Sequence, residues 1–80
     1  MNPDMDKQIE FYKNYFDGLK KLMAKARKAG LDTEIAELRM MNIPFKIQYL
    51  EVTKDKKDAK KVKRLLALLE REIPRETHSQ

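Results

Sequence analysis

The stretch MDKQIEFYKNYFDGLKKLMAKA, residues 5–26, decides the fold. Within it Met5, Ile9, Tyr12, Phe16, Leu19, Met23 and Ala26 recur in alternating steps of four and three. A step averaging 3.5 residues holds side chains on one helical face in knobs-into-holes register, so the stretch reads as a helix that needs similar partners. The chain supplies two. Ala59, Val62, Leu66, Leu69 and Ile73 form a stripe near the far end, and Leu31, Ile35, Leu38, Phe45, Tyr49 and Val52 form one between, with polar Asn42 at its interrupted step. The pattern predicts an all-α fold, an antiparallel three-helix bundle with coiled-coil-like packing.

Local chemistry sets the expected helix ends. Helix 1 opens near Asn2 or Asp4, where Pro3 suits a first turn and the Asp carboxylates meet the positive end of the helix dipole. It runs to about Ala29, with Gly30 as the left-handed stop and Lys20, Lys21, Lys25, Arg27 and Lys28 toward the negative end. Gly18, inside the helix, costs roughly 1 kcal/mol relative to Ala, so it either permits close helix approach or is merely tolerated. Helix 2 starts at Asp32 or Thr33 with Glu34 and Glu37 in or near its first turn. Pro44 removes a backbone hydrogen bond at a cost of about 3 kcal/mol, so the second helix is expected to be kinked or broken there. Residues 45–53 also alternate as a strand would, with Phe45, Ile47 and Tyr49 on one side. A helix is the preferred reading, because no other segment offers a partner strand. Helix 3 follows Thr53 or Asp55 and ends at Ile73, before Pro74. This organisation gives one helical domain over residues 1–74 and a disordered tail over 75–80.

With 80 residues the core is small, and packing between helices or a second copy of the chain must supply stability. The absence of cysteine removes disulfides, thiolate catalysis and zinc-ribbon chemistry, and fits a reducing compartment. The apolar runs are too short to span a bilayer, and the start lacks the basic and apolar regions of a signal peptide, so the chain reads as cytoplasmic and away from membranes. Eighteen Lys and Arg against 13 Asp and Glu leave a charge of +5, which attracts nucleic acid or acidic partners. Lys dominates, however, and Lys lacks the planar fork with which Arg reads phosphates and guanine edges.

Two features carry the functional reading. Helix 2 is apolar on a second side as well, through Ala36, Met40, Ile43, Ile47 and Leu50, with Arg39 and Lys46 dividing the two faces on one flank and Glu37, Gln48 and Glu51 on the other. Either helix 2 is wedged centrally and both faces are covered, or this second stripe is an interface for a homo-oligomer or a protein partner. The other feature is the basic run of Lys54, Lys56, Lys57, Lys60, Lys61, Lys63 and Arg64, opposed only by Asp55 and Asp58. Lysines at the positive end of their own helix cost about 0.3–1 kcal/mol each, and an anionic ligand there would offset that cost. The expected function is therefore a non-enzymatic interaction protein that self-associates or docks a protein through helix 2. The alternative is a nucleic-acid-associated protein using the Lys-rich face of helix 3. No catalytic set, metal site, cofactor or small-molecule substrate is expected: the single histidine, His78, lies in the tail without a second ligand at helical spacing. Phe11, Tyr12, Tyr15 and Phe16 read as a core aromatic cluster.

Overall fold

The computed structural model describes residues 3–75 and consists of three helices, α1 (Pro3–Lys28), α2 (Glu34–Thr53) and α3 (Lys56–Glu72). Each helix packs on the other two, α2 most extensively on α3. Ion pairs between Lys13 and Glu51 and between Arg27 and Glu37 run α2 antiparallel to α1, and Arg39 with Glu72 runs α3 antiparallel to α2. The expected stripes on α1 and α3 are buried in full, from Met5 to Ala26 and from Ala59 to Ile73. The aromatic cluster divides: Tyr12 and Phe16 are buried and Tyr15 is half-buried, but Phe11 is exposed, with its ring 6.0 Å from those of Tyr12 and Tyr15.

The helix ends follow the local chemistry closely. After α1, Gly30 adopts φ +82°, its N–H donates to Arg27 and the Leu31 N–H reaches back to Ala26, which satisfies two terminal carbonyls. Asp32 and Thr33 share the start of α2: the Asp32 carboxylate accepts from the Glu34 N–H at 3.0 Å, and the buried Thr33 hydroxyl donates to Glu37 at 2.6 Å. Asp55 caps α3 by accepting from the Lys57 N–H at 2.8 Å. The end of α2 has no glycine. Lys54 takes the left-handed stop position at φ +50°, a conformation that costs a residue with a Cβ roughly 1–2 kcal/mol. Its N–H donates to Leu50, and its ammonium pairs with Asp6 of α1.

Three sequence expectations need correction or closer definition. The helix is not broken at Pro44, nor is there a strand over residues 45–53: α2 is continuous from Glu34 to Thr53 with Pro44 inside it. Gly18 permits no close approach, since a Cβ built there meets nothing within 4 Å. The tail expected to be disordered, apart from Arg75, lies outside the described residues, as does His78. Because the space at Gly18 is open, Gly18→Ala should stabilise the fold by about 0.5–1 kcal/mol by restricting the unfolded chain and improving helix propensity. A urea titration measures the gain; an unchanged or lower midpoint would refute it.

Candidate interaction surface

The largest correction concerns α2. Ala36, Ile43, Ile47 and Leu50, expected to form an interface, are no more than 5% exposed and belong to the core, with Met40 half-buried against it. The stripe expected to face the core is instead in solvent. Ile35, Leu38, Phe45, Tyr49 and Val52, together with Met41, each keep between 59% and 84% of their surface exposed. Only Leu31, before the helix, packs partly on the core. Nor is α2 wedged between its neighbours, because just one of its apolar faces is covered.

Physical chemistry explains the exchange. The buried face carries aliphatic side chains alone, and Ala36 lets the backbones approach. The other face has Asn42 at its centre, and an amide buried among aliphatics without a partner costs about 1–3 kcal/mol. Charged rims then choose the neighbours. On one flank of the buried face Arg39 pairs with Glu72 of α3; on the other, Glu37 and Glu51 pair with Arg27 and Lys13 of α1. The hydrogen bond to Glu72 holds Arg39 above its ordinary pKa, and the hydrogen bond and charge of Glu51 do the same for Lys13. Glu37 lies below the ordinary carboxylate value because Thr33 and then Arg27 donate to it. These exposed pairs add little energy individually, but all three agree with the arrangement of the helices. Along the groove between α1 and α3, the Tyr15 hydroxyl donates to Glu70, which with burial raises the tyrosine pKa.

The outcome is an unpartnered helical face about 26 Å long from Ile35 to Val52. At 3.6 residues per turn, Ile35, Asn42 and Tyr49 follow one line and Leu38, Phe45 and Val52 the adjacent one, with Met41 on the outer side of the second. Met41 belonged to neither stripe in the sequence. Its place becomes evident only when the phase of the helix is known.

The basic run is also redistributed. All seven residues are exposed, but Lys54, at the junction of α2 and α3, is engaged by Asp6 near the start of α1. Lys56, Lys60 and Lys63 border a cleft against Asp4, Gln8 and Tyr12 of α1, whereas Lys61 borders α2 near Lys46, Tyr49 and Asp58. Lys57 and Arg64 stand between these rows by helical phase. The two opposing aspartates have other roles: Asp55 caps α3, and Asp58 accepts from the Thr53 hydroxyl at 2.8 Å. Among the described residues no ion pair involves Lys56, Lys57, Lys60, Lys61, Lys63 or Arg64.

Among the described residues no three His, Cys, Asp or Glu side chains gather as a metal site requires, and no helix is long and apolar enough to cross a membrane. No buried side-chain nitrogen or oxygen among them lacks a hydrogen-bond partner. The chain matches no protein-family model, no curated protein and no solved structure.

Proposed function

We propose that this chain is a non-enzymatic interaction protein whose docking surface is the exposed face of α2. One observation supports the reading above others: six large apolar side chains stand in solvent on a single face of a helix whose opposite face packs on the core. A contiguous apolar row of this kind is what a soluble domain usually hides, and an incoming helix is the shape that covers it. The proposal keeps helix 2 as the interacting element and moves the surface from the Ala36, Met40, Ile43, Ile47 and Leu50 face to the opposite one.

The test is a photoreactive phenylalanine analogue placed at Phe45 in the full chain in its native cell, with the same group at Arg64 as the control. Position 45 should give discrete covalent adducts and position 64 should not. In parallel, Leu38→Lys with Phe45→Lys should leave helicity intact and remove the adducts formed from a probe at Tyr49. A folded chain that gives no adduct from position 45 would overturn the reading.

The unpaired lysines of α3 support a second one, binding of nucleic acid through phosphates. Reversing Lys56, Lys57 and Lys60 to Glu should abolish any such binding while stabilising the isolated chain slightly, because carboxylates suit a helix N-terminus. Gel shifts with mixed RNA and DNA at low salt, alongside thermal melts, read both effects. Unchanged binding after the reversal would reduce the lysines to a solvated surface.

A further inference from the structure

We infer that the occupant of the exposed α2 face is a second copy of this chain, paired with it as a parallel, in-register two-stranded coiled coil. The inference rests on that face being a docking surface. In heptad terms Ile35, Asn42 and Tyr49 occupy the a positions and Leu38, Phe45 and Val52 the d positions. The first heptad thus has β-branched Ile at a and Leu at d, the combination that favours two strands. The a and d side chains are exposed along the helix, with Ile35 and Tyr49 bordering α3 on the flank of Arg39 and α1 on the far flank of Glu37 and Glu51.

Asn42 selects the orientation. Its amide has both donors and an acceptor, so a parallel, in-register pair sets Asn42 against Asn42 of the second copy and lets each satisfy the other. Antiparallel pairing of the same rows sets Asn42 against Phe45 and leaves the amide unsatisfied. A single polar a position is also the known way for a coiled coil to specify register and strand number at some cost in affinity.

The flanking charges agree. In the parallel pair the g position of one helix meets the e position five residues further along the other, which brings Glu34 to Arg39, Met41 to Lys46 and Gln48 to Thr53. Opposite charges meet once and like charges never. The antiparallel pair brings Arg39 to Lys46, which repel. Arg39 can serve both carboxylates, because its Nε donates to Glu72 within the chain and a guanidinium has five N–H donors. Each chain carries a charge of +5, so added salt should strengthen the pairing by screening the remaining repulsion, opposite to its effect on phosphate binding.

The lack of native cysteine makes the orientation directly readable. Val52→Cys alone should oxidise to a covalent dimer, and a mixture of Val52→Cys with Ile35→Cys should yield 52–52 and 35–35 links without 35–52. Both positions are exposed, and circular dichroism verifies that the variants fold. Sedimentation equilibrium of the native chain from micromolar to millimolar concentration should show a monomer–dimer equilibrium that tightens with salt. Asn42→Leu should tighten it by at least roughly tenfold and admit 35–52 links, since the unsatisfied amide no longer opposes the antiparallel pair. A 35–52 link in the Asn42-containing chain would overturn the parallel arrangement. A monomer at every concentration, without links, would overturn self-pairing altogether, while adducts of another mass from position 45 would keep the docking surface.

Discussion

Replacing Ile43 and Ile47 together with lysine should abolish the folded state of the chain. Both side chains are within 5% of complete burial, and no carboxylate stands inside the aliphatic cluster to receive an ammonium group. The loss of burial alone removes about 1.5–3 kcal/mol per isoleucine, and an uncompensated charge in the same space adds several more. Domains as a class are stable by only 5–15 kcal/mol, and one of this size has little core to draw on. Far-UV circular dichroism should therefore show loss of helix at room temperature. The same charges placed at Leu38 and Phe45 should leave the helical signal intact, since those side chains already meet water. If the Ile43 and Ile47 variant stayed helical and lost only its ability to associate, the buried and exposed faces of α2 would be the reverse of those described.

That contrast shows where the sequence was legible. On α1 and α3 only one face is apolar, so the step of three and four residues named the core without ambiguity, from Met5 to Ala26 and from Ala59 to Ile73. Gly30 was equally plain, because a left-handed turn is decided by the residue on the spot, and Asp55 was one of the two caps that the sequence offered for α3. On α2 the same periodicity fits two faces. What decides between them is the fate of the Asn42 amide and the charges on Glu72, Arg27 and Lys13, which lie on other helices and bear on α2 only once the chain has folded. Lys54 was hidden for a different reason: nothing about lysine marks a position with φ of +50°. Its removal from the basic face follows from that turn, which points its ammonium at Asp6. The residues expected to form a surface on helix 2 thus belong to the face the fold buries, by a rotation that no local rule determines.

Substituting Pro44 with Ala should raise stability by about 2 kcal/mol, and with it the melting temperature by roughly 10 °C. The helix runs through this position, so an alanine N–H would restore the bond to the Met40 carbonyl that proline cannot make. An interior proline costs about 3 kcal/mol relative to alanine, less about 0.4–1 kcal/mol for the freedom it denies the unfolded chain. Pro44 is exposed, so its ring contributes little to the core. Thermal and urea melts measure the gain. A loss of stability would mean that the proline is what directs Ile47 and Leu50 inward. The same variant bears on function, because Pro44 lies between Asn42 and Phe45 and any bend it imposes shapes the row on the opposite side of the helix. Higher stability accompanied by weaker self-association would locate the reason for an interior proline in the docking surface. Higher stability with unchanged association would leave the residue without a role in either.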